Sequence, residues 1–226
     1  MAKTDRLDAG MIAHYAECYS SEIEPMKLSL EEEELLEQLS SRRGQLVGMR
    51  AAEKNRLKTP NLSGRLRKSC EKMVEVISKE IEDIEGQMNE IIERDKKLKE
   101  KQSLMESVIG VGRKVSRILL AELPELGSVN RKQIAALVGV APYKHQSGKH
   151  SGESKIRGGR IEVRAVLYMA VLSAMRHNPS IKEFYEKLVG KGKKKKVAIV
   201  ACMHKLLRIL NAMLSKGESH RILKPA

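Results

Sequence analysis

The sequence predicts a mainly α-helical protein, in which a long antiparallel coiled-coil hairpin precedes a helical domain with a helix-hairpin-helix and little or no β-sheet. Two observations predict this class. Aromatic residues make up only 3% of the 226 residues, with one Phe and no Trp, so the core must consist of Leu, Ile, Val, Met and Ala. Most of these residues favour helices. Apolar residues also recur in steps of three and four over long stretches, as they do on one face of a helix.

The first predicted element is a helix within Met1–Ser20 that begins near Thr4. It would place Asp5 and Asp8, which are three residues apart, one above the other. Acidic residues at a helix start commonly cap it and interact favourably with its dipole, and this interpretation is preferred on spacing alone. The alternative is half of a divalent-metal site, because Mg²⁺ prefers oxygen ligands. A complete two-metal site usually needs more carboxylates than this stretch contains.

Two long helices follow, and we expect their hairpin to span residues 26–102. The turn between them contains Pro60 and Gly64. Both helices carry many Glu and Lys residues beside a narrow apolar seam, which is typical of a coiled coil that pairs internally or with another subunit. The charged residues are interpreted as a solvated face. The seam of the first helix is Leu28, Leu35, Leu39, Leu46 and Met49, and that of the second is Leu66, Cys70, Met73, Ile77, Ile81, Ile84, Met88 and Ile91.

The segment Leu104–Pro124 has the layout of a helix-hairpin-helix. A short helix leads into a turn with two glycines, and a second helix follows to Leu123. Such a turn brings backbone N–H groups of the second helix to a DNA phosphate without reading sequence. An ordinary glycine-containing helical turn explains the same pattern equally well. The residues expected to meet phosphate here are Gly110, Gly112, Arg113, Lys114 and Arg117.

A polar stretch, Gly139–Arg160, interrupts the helices with five Gly, three Ser and seven basic side chains. Asn130 is expected to cap a short helix before it, 131–138, and Gly139 to end that helix. Three helices are expected after it, at about 159–177, 181–189 and 197–214, with Asn178-Pro179 separating the first two. The lysine run before the last helix, Lys193, Lys194, Lys195 and Lys196, is interpreted as a phosphate contact, and a plain solvated loop is the alternative.

The charge of the chain points to a polyanion as its partner. The net charge is +14, and residues 141–226 carry all of the excess, with 19 Lys and Arg against five acids. Basic surfaces attract nucleic acid by steering and by counterion release. The three Cys form no CxxC pair, and no apolar signal region follows Met1. We therefore expect a cytoplasmic protein that does not cross a membrane.

Several segments resemble the IS110-type insertion-sequence transposases, which are related to the Piv-type DNA invertases. KTDRLDAGMIA resembles the last carboxylate motif of the family's RuvC-like domain. The segments that resemble its carboxy-terminal transposase domain are IGVGRKVSRILLAELPELG, RKQIAALVGVAPYKHQSGKHSG, RGGRIEVRAVLYMAVLSAMRHNP and KKKVAIVACMHKLLRILNAML. Each motif is weak alone, but together they occur in the family's order and are separated by the predicted coiled coil.

The resemblance implies a recombinase with two kinds of catalytic residue. A RuvC-like domain supplies four acids that bind Mg²⁺, of which Asp5 and Asp8 match the last two. A serine in an S-G motif attacks a DNA phosphodiester and forms a phosphoseryl link, and Ser147 matches it. The family also implies homo-oligomers formed through the coiled coil and a structured non-coding guide RNA that pairs with DNA.

The chain departs from the family at its amino terminus, because the first Asp and the Glu of the RuvC-like domain are not in this sequence. We therefore expect an amino-terminally truncated member, with a RuvC-like remnant at 1–25, the hairpin at 26–102 and the transposase domain at 103–226. The alternative function is a catalytically inactive, nucleic-acid-binding and dimerising protein that acts beside intact transposase in the bacterial nucleoid. A helical scaffold that binds nothing is a third interpretation.

A weak nucleophile such as a serine hydroxyl needs a base or positive surroundings. His145 and His150 are both candidates for proton transfer. Ser151 and Ser154 are rival nucleophiles by composition, and only the resemblance selects Ser147. The cations expected to neutralise the phosphate are Lys149, Lys155, Arg157, Arg160 and Arg164.

Overall fold

The computed structural model describes residues 5–19, 31–142, 146–147, 150–151 and 156–218. The chain divides into two compact units, Met1–Glu31 and Glu32–Ala226. The first contains α1 (Asp5–Cys18), in agreement with the predicted helix. The elements of the second are α2 (Glu31–Arg56), α3 (Gly64–Arg94), α4 (Lys96–Glu106), α5 (Arg113–Glu122), α6 (Arg131–Val138), β1 (Gln146–Ser147), β2 (His150–Ser151), α7 (Ile161–His177), α8 (Pro179–Gly190) and α9 (Lys195–Lys216). The predicted mainly α class is confirmed.

Helices α2 and α3 run antiparallel on either side of a short turn. Ser63 begins α3 by accepting a hydrogen bond from the backbone N–H of Leu66. Arg43 on α2 binds Glu85 on α3, and Arg50, two turns further along α2, donates to Ser78, two turns earlier on α3. These cross-helix contacts fix the register of the pair.

The apolar seam of this pair is buried over only part of its length. On α3 the buried part begins at Ile77, whereas Leu66, Met73 and Val76 near the turn are exposed. On α2 the predicted Leu46 is buried, but Leu36 is buried in place of the predicted Leu35, which is 46% exposed. Two adjacent leucines satisfy the same helical spacing, so only tertiary packing decides which one faces inward.

The long second helix of the predicted hairpin is broken at Asp95. Its backbone ends α3 in an extended conformation, and its carboxylate then accepts from the N–H groups of Lys97 and Leu98 at 2.7 and 3.1 Å. A single Asp thus ends one helix and caps the next. The predicted hairpin region therefore ends as two helices, with α4 turning toward α5 and α9.

The core of the second unit lies among α4 to α9. Its fully buried side chains include Met105, Leu119, Ile134, Leu167 and Leu206. The predicted cap at Asn130 and helix end at Gly139 are both confirmed, since Asn130 and Gln133 form a capping box and Gly139 has a φ of +74°.

The break between α7 and α8 also follows the prediction. Asn178 accepts from the N–H of Ile181, and Pro179 occupies the first turn of α8. The amide of Asn178 donates to the carbonyl oxygen of Ile109 at 3.2 Å, so the same residue also holds the glycine turn before α5.

Helix α9 packs against α4, α6, α7 and α8. Among the described helices, α9 alone is long and apolar enough to cross a membrane by length and composition, but half of that window is buried inside the protein. Its buried residues include Ala198, Cys202, Leu206, Leu210 and Met213. A helix at the centre of a helical domain has this composition because it contacts apolar neighbours on several sides.

Candidate nucleophile loop and nucleic-acid interface

The Ser147 excursion, residues 139–159, begins and ends where two parts of the backbone cross between α6 and α7. The carbonyl oxygen of Leu137 accepts from the N–H of Arg160 at 3.1 Å. A Cβ atom on Gly159 would lie 2.6 Å from the Cα of Gly139, and one on Gly139 would lie 2.8 Å from the carbonyl carbon of Gly158. Side chains cannot approach backbone this closely, so the crossing requires glycine on both strands.

Arg160 anchors the returning strand to the core. Its guanidinium binds both carboxylate oxygens of Glu125 at 2.6 Å and donates to the carbonyl oxygen of Glu122 at 2.8 Å. Burial has the largest effect and would raise the pKa of Glu125, but the hydrogen bonds and the charge of Arg160, together with a backbone hydrogen bond, hold that pKa below its usual value. Hydrogen bonding to Glu125 likewise raises the pKa of Arg160. Arg160 was predicted to meet phosphate, and its guanidinium is instead bound to a carboxylate.

Arg164 closes the same crossing from α7. Its Nη1 donates to the carbonyl oxygen of Val138 at 3.2 Å and to that of Gly158. One guanidinium therefore connects the end of α6 to the segment before α7. Arg157 lies on the returning strand and is exposed. Both residues were predicted to bind phosphate. Arg157 is available to an external ligand, whereas Arg164 is bound to backbone oxygens of the protein.

Within this excursion Ser147 lies in a small antiparallel ladder. β1 pairs with β2 so that Gln146 is opposite Ser151 and Ser147 is opposite His150. The residues between the strands, Gly148 and Lys149, lie outside the described residues, as do His145, Ser154 and Lys155. The backbone thus brings Ser147 and His150 together, which the sequence did not predict.

The two glycines of the turn before α5 have different surroundings. A Cβ on Gly110, which has a φ of +105°, would lie 2.6 Å from the Cβ of Ala174 on α7. Gly110 is therefore explained by packing. Gly112 is the N-cap residue of α5 and receives no side-chain hydrogen bond, and a Cβ there would meet nothing within 4 Å. The start of α5 is the open side of this turn.

The three cations at the start of α5 also differ in their exposure to solvent. Arg113 is exposed and lies 3.2 Å from Glu93, and Lys114 is exposed. Arg117 is only 3% exposed. It donates to the backbone oxygen of Glu85 and to Asn89 on α3, both at 3.1 Å, and binds the Glu85 carboxylate at 2.8 Å. Arg117 is therefore buried against α3 and is not an exposed cation at the start of α5.

Lysines surround the start of α9. Lys191, Lys193, Lys195 and Lys196 are exposed, and no acidic residue lies in the first turn of this helix. The helix dipole places partial positive charge at this end, so the lysines are in an unfavourable position unless an anion is near. Lys194 is the N-cap residue and contributes no side-chain cap.

The two aspartates of the amino-terminal unit lie on α1, three residues apart. Asp8 lines an open concavity of about 350 Å³ together with Met11, Ile12 and Tyr15, and these neighbours offer no further carboxylate. In the part of the chain that the structure describes, no group of three or more His, Cys, Asp or Glu side chains is arranged to hold a metal ion. Asp5 and Asp8 by themselves do not fit a Mg²⁺ site.

Sequence reasoning missed three charged residues that organise this region: Arg43, Glu85 and Glu125. Glu85 and Glu125 carry no signal of their own, because their partners are distant in the sequence. Arg43 does carry one. With Leu36 and Leu46 it follows the three- and seven-residue spacing of the buried face of α2, where a charged residue needs a partner.

Two family models match the chain. The model described as "Transposase IS116/IS110/IS902 family" matches residues 102–186, and a model of the IS110-type DEDD transposases, described as "Transposase", matches residues 1–60. The first covers the glycine turn before α5, helices α5 and α6, the Ser147 excursion and α7. The second covers α1 and α2.

The chain is also similar to curated proteins over nearly its whole length. It is 29% identical to the pilin gene-inverting protein of Moraxella bovis over 225 residues, which cover 96% of this chain and 67% of that protein. The pilin gene-inverting protein of Moraxella lacunata matches equally well. An uncharacterized 43.6 kDa protein of insertion element IS110 from Streptomyces coelicolor is 25% identical over 125 residues, covering 54% of this chain and 31% of that protein.

Proposed function

Because the chain belongs to the IS116/IS110/IS902 family of transposases, which are proteins of DNA transposition and recombination, we propose that Ser147 is the nucleophile that joins it to DNA. The observation that carries the proposal is the close contact between the two ends of the Ser147 excursion. The glycine crossing, the Arg160–Glu125 pair and the Arg164 contacts hold both ends of this excursion against the core.

Fixing both ends of the excursion matters because nucleophilic attack on phosphorus needs the hydroxyl in line with the departing oxygen. The Ser147 Oγ forms a bond to phosphorus and loses its proton, and one bridging P–O bond breaks. The departing oxygen takes up a proton. The product is a phosphoseryl ester, which conserves the energy of the broken phosphodiester for the rejoining step. His150, opposite Ser147 in the ladder, is the first candidate to accept the proton.

The DNA-binding surface of the proposal combines exposed cations of several elements. The lysines at the start of α9 gain most from a phosphate, because it offsets both their mutual repulsion and the helix dipole. The exposed cations on which the proposal relies are Arg113, Lys114, Arg157, Lys193, Lys195 and Lys196. Lys149 and Lys155 belong to the same proposal by their place in the sequence.

The remaining parts of the proposal rest on the resemblance. The divisions at 1–25, 26–102 and 103–226 correspond to a RuvC-like segment, a coiled coil that forms homo-oligomers and the transposase domain. The exposed Leu66, Met73 and Val76 on α3 support the coiled coil as an oligomer contact. A structured guide RNA and a cytoplasmic, nucleoid-associated location are proposed on the same ground. The implied Mg²⁺ needs carboxylates beyond Asp5 and Asp8.

A second candidate function is nucleic-acid binding and dimerisation without catalysis. It is favoured by the exposed apolar residues of α3 and the exposed lysines at the start of α9, which can serve dimerisation and nucleic-acid binding without a catalytic group. In this candidate the chain occupies DNA or intact transposase without forming a covalent link.

The two candidates differ in a covalent adduct. The protein is incubated with nicked DNA from the ends of its element, Mg²⁺ and RNA from the flanking region, and denaturing electrophoresis detects protein–DNA adducts. The proposal expects an adduct with wild type and with Ser151→Ala, and none with Ser147→Ala. Equal adduct from Ser147→Ala would reject Ser147 as the nucleophile. DNA binding without any adduct, even when intact transposase is added, would favour the second candidate.

A further inference from the structure

Two guanidinium groups from different helices converge on the carboxylate of Glu85. The Nε of Arg43 on α2 lies 2.5 Å from Oε1 of Glu85, and the Nη2 of Arg117 on α5 lies 2.8 Å from Oε2. Both arginines are buried, with side chains 7% and 4% exposed, whereas Glu85 is 26% exposed. The junction of α2, α3 and α5 therefore contains two buried cations and one partly exposed anion.

Two further cations lie on the same faces of the same helices. Arg50 follows Arg43 by two helical turns and donates to Ser78 of α3 at 3.4 Å. Lys114 precedes Arg117 by one turn. Burial lowers the pKa of Lys114, and the positive charges of Arg43, Arg50 and Arg117 lower it further against the opposing effect of Glu85. Arg43 and Arg117 thus bind one carboxylate, and two further cations lie near them.

This cluster is not satisfied by its own residues. Nη2 of Arg43 and Nε of Arg117 are buried and have no hydrogen-bond partner among the described residues. Buried donors of charged groups are costly to leave unpaired. The pKa of Glu85 reports the same excess of positive charge. Burial would raise it, but hydrogen bonds from Arg43 and Arg117 keep it below its usual value.

We propose that Arg43, Arg50, Lys114 and Arg117 form an anion site that takes one backbone phosphate of a nucleic acid. The half-buried Arg50 and the exposed Lys114 meet the phosphate from solvent. A phosphate oxygen then shares the arginines with the Glu85 carboxylate or displaces it, which gives the unpaired donors an acceptor. Glu85 is the internal competitor that holds the arginines in place when no nucleic acid is bound.

The site extends the nucleic-acid surface to the helical pair α2–α3, where neither Arg43, Arg50 nor Glu85 was among the predicted contacts. It depends on the proposed function only for the class of its ligand. A purely structural role of the cluster differs from this proposal in the expected effect of replacing Glu85 on nucleic-acid affinity. If Glu85 only ties the helices together, its replacement does not strengthen binding.

The test measures affinity for a fluorescent duplex DNA and for a single-stranded RNA across a range of salt concentrations. The double variant Arg50→Gln/Lys114→Gln is compared with Lys182→Gln on the exposed face of α8, and unfolding temperatures verify that each variant is folded. The proposal expects the double variant to bind about tenfold more weakly and to lower the salt slope by about one unit, as for one lost phosphate contact. The arm with the larger loss identifies DNA or RNA as the source of the phosphate.

Glu85→Gln removes the competing negative charge, whereas the double variant removes positive charges. The proposal expects tighter binding than wild type, because the competitor has lost its charge. A double variant that behaves like Lys182→Gln in both arms would overturn the proposal, as would a folded Glu85→Gln protein that binds more weakly. Lys195→Gln/Lys196→Gln separates this failure from failure of the proposed function. If only that variant weakens binding, the nucleic-acid function stands and the site at α2–α5 does not.

Discussion

A Cβ atom placed on Gly159 would lie 2.6 Å from the Cα of Gly139, so the two ends of the Ser147 excursion meet in backbone contact. Gly158, the neighbouring residue, has the same φ of +70° but nothing within 4 Å of its Cβ position. The pair therefore separates the cost of close contact from the cost of a left-handed backbone.

Replacing these glycines by alanine is the first test of the crossing. Gly158→Ala is expected to cost about 1 kcal/mol, since only the left-handed conformation is strained. Gly159→Ala also forces two strands apart, and a total cost of about 3 kcal/mol or more is expected. Urea unfolding measures both. Equal losses for the two variants would show that the strands do not touch in solution.

The Arg160–Glu125 pair makes stability depend on pH in a defined direction. The pKa of Glu125 is lower in the folded protein than its usual 4.5. Its contribution is therefore complete above that value and is lost as the pH falls through the folded pKa. Glu125→Gln should lower stability by about 1 kcal/mol at neutral pH, after allowance for partial exposure, and the difference from wild type should shrink below about pH 4.5.

Glu122→Gln is the matched control, because Arg160 hydrogen-bonds the backbone oxygen of Glu122, which the variant keeps, and the Glu122 carboxylate acts on Arg160 less than that of Glu125. Thermal unfolding followed from neutral to acid pH compares the two variants. A loss from Glu125→Gln that stays constant down to acid pH would contradict the role of its charge.

Arg117 and Arg113 lie on the same short helix but in opposite environments. Arg117→Met removes a buried partner of Glu85 and is expected to cost about 3 kcal/mol. Arg113→Met removes an exposed pair with Glu93, and a change within about 1 kcal/mol is expected. Urea unfolding of both variants measures the difference. Similar small effects would mean that Arg117 faces solvent.

The lysines at the start of α9 should respond to charge reversal in two opposite ways. Lys195→Glu/Lys196→Glu places acids at the positive end of the helix dipole, so stability is expected to rise by about 0.5 kcal/mol or more. Affinity for duplex DNA is expected to fall steeply, with a smaller salt slope.

Lys216→Glu, in the last turn of α9, changes charge in the same direction at the other end of the helix. It should lower stability slightly and leave most of the DNA affinity intact. Fluorescence anisotropy with duplex DNA tests both variants. An equal loss of affinity from Lys216→Glu would indicate that only net charge matters and that the start of α9 is not a contact.

The sequence predicted those parts of the fold that short-range chemistry determines. Asn130 and Gly139 bound α6, and Asn178-Pro179 separates α7 from α8, because caps and prolines act within a few residues. Asp95 shows the limit, because an Asp within a regular apolar repeat gave no reason to expect a helix break.

The organisation of the candidate site depends on long-range pairing, which one sequence does not reveal. Arg117 looked like a surface cation at a helix start, and the structure places it against Glu85. Arg160 looked like a phosphate ligand, and Glu125 binds it. Glu85 is one of many Glu residues on α3 and Glu125 lies in a turn, so nothing in the sequence distinguishes either from a solvated charge.

The central claim is that the Ser147 hydroxyl forms the covalent link to DNA. Its most direct test is mass spectrometry of the peptides from a nuclease-treated protein–DNA adduct, formed with element-end DNA, Mg²⁺ and the flanking RNA. We expect a nucleotide-sized mass on the peptide that contains Ser147, attached to that residue. A nucleotide attached to Ser151, Ser154 or any other residue, with Ser147 unmodified, would contradict it.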